Sequence, residues 1–276
     1  MIYEEINLKE IFPMLKYDCI LTAYCNSGYV AQPKVRLRRT ILLFPAGGYR
    51  FVSRRENDPI ALKLVGEGIN VFTLKYKVVP FEYPYPLIEA YAALAYININ
   101  ADKYFVDREH IGVMGFSAGG HLAASLSCYF RNDEFANELK IDKKIIKLSG
   151  CLLGYAVISM EEYSENETRV NITQNRVDLL DFFSIEKHIT KDFPPTFIWT
   201  TAEDMVVHPI NSIDLARELQ LNNVLYELHI YPKGYHGLSL ANDVVFTSEF
   251  DNETLSEYGY NSSWIEHAVH FIKNYM

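Results

Sequence analysis

Short apolar runs alternate with helical patterns along most of the 276-residue chain. This alternation is typical of βαβ units, in which parallel strands form a sheet covered by helices on both faces. Buried strands are expected at 40–44, 71–74, 111–115, 155–158, 196–200 and 226–230, with antiparallel edge strands at 19–24 and 35–39. Helices are expected at 59–66, 87–99, 119–130, 210–221 and 264–275. The predicted fold class is therefore α/β, with a mainly parallel sheet of about eight strands flanked by helices.

One stretch, 159–195, departs from this alternation because it is polar and rich in Glu, Asn and Thr, with a helical pattern only around 176–183. Long loops in compact domains usually carry a function, so we expect a small cap-like insertion over one edge of the sheet. A solvated excursion without a role is the alternative. The whole chain, 1–276, is expected to form a single domain, since its length is within what one hydrophobic core can hold.

The charge balance restricts the partners of the chain. Its net charge of -9 comes from 35 acidic and 26 basic residues. Such a surface repels phosphate backbones, so nucleic acid is not expected as a partner. No stretch of about 18 apolar residues and no basic leader followed by an apolar segment occurs, so we expect a cytoplasmic protein without a membrane partner.

The cysteines do not have the spacing of a metal or redox site. Cys19, Cys25, Cys128 and Cys151 include no CxxC pair and no matching histidine pattern. No metal and no organic cofactor are therefore expected. The sequence leaves open whether copies of the chain assemble into a homo-oligomer.

The strongest chemical motif is Gly115-Phe-Ser117-Ala-Gly119, which lies between an apolar strand and a helical run. This is the G-x-S-x-G nucleophile elbow in the strand-turn-helix context that it requires. Small residues on both sides let the Ser117 hydroxyl project from a sharp turn. The helix that follows directs backbone N–H groups, including that of Ala118, towards a developing oxyanion. Ser117 is the predicted nucleophile.

A nucleophilic serine needs a histidine base and a carboxylate that orients the base. In this architecture they follow the serine in the order acid, then histidine, each after a late strand. Asp204 follows the run 196–200, and its neighbour Glu203 is a competing acid. His236, flanked by Gly234 and Gly237, follows the run 226–230. Asp204 and His236 are therefore the predicted acid and base.

The loop Pro45-Ala-Gly-Gly-Tyr49 follows the first core strand and corresponds to an HGGG-type oxyanion loop. The backbone amides of Gly47 and Gly48 are the candidate donors from this loop. Tyr49 is a candidate wall of the substrate pocket, with ordinary packing as the alternative. Further along, Ser53 and Glu56 have the spacing of a helix capping box.

These motifs together resemble the bacterial α/β-hydrolases of the acetyl esterase and acetylxylan esterase-like (esterase/lipase) family. The matching segments are Pro45-Ala-Gly-Gly-Tyr49, Ser53-Arg-Arg-Glu56, Tyr76-Lys-Val-Val-Pro80, Gly115-Phe-Ser-Ala-Gly-Gly-His121, Phe183-Ser-Ile-Glu-Lys-His188 and Lys233-Gly-Tyr-His-Gly237. The resemblance implies the α/β-hydrolase fold and a triad of Ser117, Asp204 and His236. It also implies an oxyanion hole around Gly47 and Ala118. Ala46 departs from the family pattern by replacing a glycine, which a negative φ at that residue would tolerate.

The expected activity is that of a serine hydrolase cleaving short-chain carboxylic esters, with O-acetyl groups on sugars as the substrates that the resemblance implies. Its partner would be a small-molecule ester. A broad carboxylesterase and a prolyl-oligopeptidase-like peptidase are the enzymatic alternatives. Outside enzymes, a non-catalytic binding protein could use the same fold, although it would have no reason to retain all three triad residues.

Overall fold

The computed structural model describes residues 1–27, 36–81, 84–161, 163–246 and 249–276. Within these residues the strands are β1 (Ile2–Asn7), β2 (Ile20–Cys25), β3 (Arg38–Phe44), β4 (Asn70–Lys75), β5 (Val106–Phe116), β6 (Gly150–Gly154), β7 (Thr196–Thr201) and β8 (Tyr226–Tyr231). They form one sheet in the order β1-β2-β4-β3-β5-β6-β7-β8. The β1–β2 and β2–β4 pairs are antiparallel and the other pairs are parallel. The predicted eight-stranded, mainly parallel α/β sheet is therefore confirmed.

Helices connect the strands. Within the described residues they are α1 (Leu8–Ile11), α2 (Asp58–Gly66), α3 (Tyr85–Ile99), α4 (Ala118–Tyr129), α5 (Asp133–Glu138), α6 (Asn166–Thr173), α7 (Leu180–Phe183), α8 (Ile210–Leu221), α9 (Glu249–Tyr258) and α10 (Trp264–Tyr275). None of the helices in this part of the chain is both long enough and apolar enough to cross a membrane.

The sheet has a hydrophobic core on each face. Apolar side chains of α3, α4 and α8 pack with one face, and those of α2 and α10 pack with the other. On the second face, Trp264 of α10 stacks on Trp199 of β7 with 4.9 Å between the ring centroids. Burial of these apolar surfaces on both faces is the main stabilising contribution to a fold of this kind.

The prediction of a strand at 155–158 is wrong. The strand in this region is β6, Gly150–Gly154, which pairs with β5 and β7. Tyr155 then takes a φ of 36°, which leaves the extended conformation. The buried apolar residues that follow form a loop beside the nucleophile elbow, where the Val157 amide donates to the Ser117 carbonyl at 3.2 Å.

The outer edge of the sheet also differs from the prediction. The edge strand expected at 19–24 is present as β2. Of the run expected at 35–39, residue 35 lies outside the described residues, while Arg38 and Arg39 belong to β3. The outermost position is taken by β1, whose alternating polar and apolar residues were not assigned to a strand.

The insertion at 159–195 contains α6 and α7. Helix α6 is fixed at its start by Glu165, whose carboxylate accepts from the amides of Glu167 and Thr168. The helix predicted around 176–183 corresponds to a 3-10 turn followed by α7. The parallel strands end at the edge of the sheet where this insertion and the loops that carry the candidate site residues meet.

Candidate active site

Ser117 occupies a sharp turn between β5, which ends at Phe116, and α4, which begins at Ala118. Its φ and ψ are 53° and -123°, a strained combination for a residue with a side chain. A Cβ at Gly115 would lie 2.2 Å from the Gly119 carbonyl oxygen, so the strand and helix approach too closely for any larger residue. The geometry is that of a nucleophile elbow.

The second glycine of the elbow has its own steric reason. A Cβ at Gly119 would lie 2.2 Å from the carbonyl oxygen of Phe44, the last residue of β3. The start of α4 therefore packs directly on the backbone at the end of β3. This contact brings the elbow next to the loop that follows β3.

His236 faces the serine from the loop after β8. Its Nε2 lies 2.9 Å from Ser117 Oγ, and its Nδ1 lies 2.7 Å from Asp204 Oδ2. Because a carboxylate only accepts hydrogen bonds, Nδ1 carries the proton and Nε2 accepts from the serine hydroxyl. The structure therefore brings the three sequence-predicted residues into one hydrogen-bonded chain.

Asp204 is 1% exposed, and both of its carboxylate oxygens have partners. Oδ1 accepts from the amides of Val206 and Val207, each at 2.9 Å, while Oδ2 faces His236. The neighbouring Glu203 is exposed, and its carboxylate accepts instead from the Gly234 amide at 3.3 Å. Only Asp204 is thus in a position to orient the imidazole.

The loop after β3 presents two backbone amides. The Ala46 carbonyl accepts from the Ser53 amide at 2.9 Å, and the Gly47 carbonyl accepts from the Arg50 and Phe51 amides at 2.9 and 3.1 Å. In a trans peptide the N–H points opposite to the carbonyl, so the Gly47 and Gly48 N–H groups are directed out of this turn. Among the described residues, no acceptor takes either amide hydrogen. Both amides are therefore available to an oxyanion.

The glycines in this loop are required by its backbone. Gly47 has a φ of 139°, and a Cβ there would lie 1.9 Å from the Phe51 carbonyl oxygen. Gly48 has a φ of 61°. Ala46 is not among the described residues with a positive φ, so the alanine that replaces the family glycine is accommodated without backbone strain.

The third candidate donor is the Ala118 amide, at the first position of α4. The first N–H groups of a helix have no acceptor within the helix, and the helix dipole places positive charge at this end. The Ala118 N–H therefore complements the two loop amides on the other side of Ser117.

Tyr49 does not line an open pocket, because its side chain is fully buried. Its hydroxyl lies 2.9 Å from Nδ1 of His121, and Nε2 of His121 lies 2.9 Å from the Phe183 carbonyl oxygen. The carbonyl requires Nε2 to donate, so Nδ1 accepts from the tyrosine. Burial lowers the pKa of the His121 imidazole to about 4. The packing alternative for Tyr49 is therefore what the structure contains.

The insertion contacts the oxyanion loop through α6. Nδ2 of Asn171 donates to the Gly48 carbonyl at 2.7 Å, and Glu167 forms an ion pair with Arg50 at 3.1 Å. Asn171 and Gly48 are 123 residues apart in the chain, so no local sequence pattern indicates the contact.

Ser53 and Glu56 do not form a capping box. Helix α2 begins at Asp58, and the Ser53 hydroxyl donates to the carboxylate of Glu56 instead. Glu56 is only 3% exposed and also accepts from the Tyr155 hydroxyl at 3.1 Å. Sequence reasoning missed this network because its partners are far apart in the chain.

Two cavities of similar size lie at opposite edges of the sheet. One, of about 530 Å³, begins at residues 52–54, directly after the oxyanion loop, and extends along β1, β2 and β4. The other, of about 510 Å³, lies by the start of β3 and is lined by Arg36, Arg38 and Arg39. The first cavity reaches the C-terminal end of β4, and the linings of both cavities contain none of the residues Ser117, Asp204 and His236.

The chain matches the sequence model of a known protein family. The BD-FAE family model matches residues 39–219, which include the oxyanion loop, the elbow and Asp204 but not His236. An endo-1,4-beta-xylanase B of Butyrivibrio fibrisolvens is 34% identical over 76% of this chain and 34% of its own length. An acetylxylan esterase of Xylanibacter ruminicola is 25% identical over 74% of this chain and 42% of its own length. The chain thus spans well under half of these two relatives.

Solved structures match over nearly the whole chain. The carboxylesterase Cest-2923 of Lactobacillus plantarum has a TM-score of 0.84 and 25% identity, covering 99% of this chain and 97% of its own. An acetyl ester-xyloside bifunctional hydrolase of Caldicellulosiruptor lactoaceticus has a TM-score of 0.76 and 28% identity, covering 93% and 96%. These proteins share the α/β-hydrolase architecture described above.

Proposed function

The chain belongs to the BD-FAE family of α/β-hydrolase esterases, and from this premise we propose that it hydrolyses short-chain carboxylic esters through an acyl-enzyme on Ser117. The observation that carries the proposal is the hydrogen-bonded chain from Ser117 through His236 to Asp204, with distances of 2.9 and 2.7 Å. The 2.9 Å from Ser117 Oγ to His236 Nε2 is in the range at which a base can remove the serine proton, and the 2.7 Å from Nδ1 to Asp204 is that of a hydrogen bond that orients the base.

The first half of the reaction follows from this geometry. Ser117 Oγ attacks the ester carbonyl carbon while its proton moves to His236 Nε2. Asp204 stabilises the imidazolium that forms and keeps its Nδ1 proton in place. The imidazolium then gives its proton to the leaving alcohol, and the acyl group stays on Ser117.

The second half repeats these steps with water. His236 takes a proton from the water, which attacks the acyl carbon, and then returns the proton to Ser117 as the acid leaves. The negative charge of both tetrahedral intermediates would be held by the N–H of Ala118 and by one or both of the Gly47 and Gly48 amides. Removing one such donor typically costs about 10²- to 10³-fold in kcat.

The proposed natural substrates are O-acetyl groups on a carbohydrate. Two similar proteins are named for this chemistry, the acetylxylan esterase and the acetyl ester-xyloside hydrolase. The cavity that starts at residues 52–54 has no triad residue in its lining, so it would hold sugar units beyond the reacting acetyl group, and the ring of Tyr3 and polar side chains line it. Tyr3 is 57% exposed, which leaves its ring available to a ligand.

A fluorophosphonate probe tests for the activated serine. The full chain should be labelled rapidly at Ser117, and the Asp204→Asn variant should be labelled far more slowly, because its imidazole is held in the wrong tautomer. Labelling at the same rate in both proteins, or none in either, would contradict the proposal.

Substrate range is tested with p-nitrophenyl acetate, butyrate and octanoate together with acetylated xylo-oligosaccharides. We expect kcat/KM to fall steeply beyond about four acyl carbons. Similar values for acetate and octanoate would instead indicate a broad carboxylesterase. For the sugar part, Tyr3→Ala should raise KM for the acetylated oligosaccharide and leave p-nitrophenyl acetate unaffected.

A further inference from the structure

A cluster of two histidines and a glutamate lies between β8 and α10. Glu227 and His229 are two residues apart on β8 and so project from the same face of the sheet. His267 lies on α10, which packs on the sheet with its contacts to β6 and β7. One ligand atom from each of these three side chains lies within 4.8 Å of the other two.

The contacts within the cluster hold its inner members in place. His229 Nε2 lies 2.7 Å from Glu227 Oε1, and the His229 ring packs against Phe197 at 5.4 Å between centroids. The His267 ring stacks on that of His229 at 4.5 Å, with 26° between the planes. His267 is itself exposed, so its side chain can turn without disturbing the core.

We propose that Glu227, His229 and His267 bind a divalent transition-metal ion, with Zn²⁺ as the best fit. Two imidazole nitrogens and one carboxylate oxygen are a common zinc ligand set, in which water completes a tetrahedron. Bonds of about 2.1 Å would place the ligand atoms about 3.4 Å apart. To reach this spacing the His267 side chain would rotate towards the pair, and the 2.7 Å hydrogen bond between His229 Nε2 and Glu227 Oε1 would lengthen to admit the ion.

The local charge favours a cation. Among the described residues, the ion-pair partner of Glu227 is His229, and no lysine or arginine pairs with this carboxylate. A bound cation would therefore meet a carboxylate that is paired with neither lysine nor arginine, in a chain whose net charge is -9. On α10 the neighbouring charged side chain is the acidic Glu266, which adds to the attraction.

The site would connect an edge strand to a helix. Among the described strands β8 is the last in the sheet order, and β7 is the strand with which it pairs. The chain leaves β8 at Tyr231 and reaches His236 a few residues later. Metal binding would cross-link β8 to α10 and stabilise the strand that leads into the catalytic histidine loop, without taking part in ester hydrolysis.

The proposal is tested by isothermal titration calorimetry of the full chain with ZnCl₂. The wild type is compared with variants at two histidines of α10. His267→Ala should weaken Zn²⁺ binding by at least about tenfold, since it removes one of three ligands. The matched control is His270→Ala, because His270 is also exposed on α10 and interacts with Asn274. That variant should bind Zn²⁺ as the wild type does.

Three further measurements distinguish binding at this site from binding at His236 and from an effect of misfolding. His236→Ala should retain one high-affinity Zn²⁺ site, whereas a site at the triad would lose it. Glu227→Gln, which keeps the shape of the side chain, should also lose affinity. Co²⁺ should give the intense visible absorption of a tetrahedral complex in the wild type and not in His267→Ala. Absence of saturable Zn²⁺ binding, or equal binding by His267→Ala and wild type, would overturn the proposal.

Discussion

The ring of Tyr155 lies edge-on against the imidazole of His236, with 5.0 Å between centroids and 73° between planes. Tyr155 is held there by its hydroxyl, which donates to the buried Glu56 carboxylate and accepts from the Ser239 amide, each at 3.1 Å. The segment before α2 and the loop after His236 are thereby joined behind the His236 imidazole. We infer that Glu56 and Tyr155 position His236 without contacting the substrate.

Replacing Tyr155 by Phe should separate this positioning role from packing. The ring would remain against His236, but Glu56 would lose a hydrogen-bond donor while buried, which costs about 1–3 kcal/mol in the free energy of unfolding. We expect kcat to fall by up to about tenfold with little change in KM, because the imidazole would be less firmly held. The control is Tyr260→Phe, a 74% exposed tyrosine, which should change neither quantity. A kcat unaffected in Tyr155→Phe would show that the contact is structural only.

Ser117→Ala should abolish ester hydrolysis and preserve the fold. Alanine is close to serine in size and removes only the hydroxyl group, so the elbow can keep its conformation. The loss of the nucleophile in such a triad lowers kcat by a factor on the order of 10⁶. The measurements are kcat on p-nitrophenyl acetate and the circular dichroism spectrum. Residual activity above about one per cent of wild type would reject Ser117 as the nucleophile.

Asp204 and Glu203 provide a matched pair of carboxylates for identifying the orienting acid. Asp204→Asn should lower kcat by about 10⁴, because the imidazole loses both its tautomer and the support for its positive charge. Glu203→Gln should lower it by less than about tenfold, since its carboxylate bonds to the Gly234 amide and not to His236. Both variants are assayed on p-nitrophenyl acetate. A large loss at Glu203 together with near-normal activity at Asp204 would reverse the assignment.

Local sequence patterns were sufficient for most of the sheet and for the elbow. Apolar runs bounded by turn residues located β3, β4, β5, β7 and β8, since buried strands are specified by their own residues. The run around Gly154 could not be divided correctly from sequence, because two adjacent apolar segments fit the pattern equally well. Pairing with β5 and β7 selects 150–154, and the positive φ of Tyr155 ends the strand.

Contacts between distant segments were not predictable in this way. The bond from Asn171 to Gly48 and the bond from Tyr155 to Glu56 join residues that no periodic pattern relates. The cluster proposed to bind a metal ion likewise depends on the packing of α10 against the sheet, so its histidines are not recognisable from their spacing. The sequence therefore indicated the candidate reacting residues. The tertiary structure is needed to find the residues that contact them and fix their positions.

Asn171→Ala tests whether the insertion supports the oxyanion loop. Loss of the 2.7 Å bond would free the Gly48 carbonyl and loosen the peptide units that present the Gly47 and Gly48 amides. We expect kcat to fall by about tenfold, less than the loss of a whole oxyanion donor, with KM and Tm nearly unchanged. Asn166→Ala is the matched control, because Asn166 is an exposed asparagine at the start of the same helix. Equal activity of the two variants would leave the insertion without a catalytic role.

Glu89 should make the stability of the protein depend on pH. This carboxyl group on α3 is buried, and burial raises its pKa to about 8, although the Lys77 amide and charge partly oppose the shift. A group whose pKa is raised in the folded state contributes its stability fully below the unfolded pKa of about 4.5, and loses it as pH rises through about 8. The folded state therefore binds the proton more tightly throughout this window.

Glu89→Gln removes that dependence while keeping the side-chain shape. We expect the variant to gain stability relative to the wild type as pH rises, with the difference growing by about 2 kcal/mol between pH 5 and pH 7. The free energy of unfolding is measured by urea titration at both pH values, with the exposed Glu138→Gln as control. A difference between Glu89→Gln and wild type that stays constant with pH would mean that Glu89 is ionised in the folded protein, despite its complete burial beside the Lys77 amide.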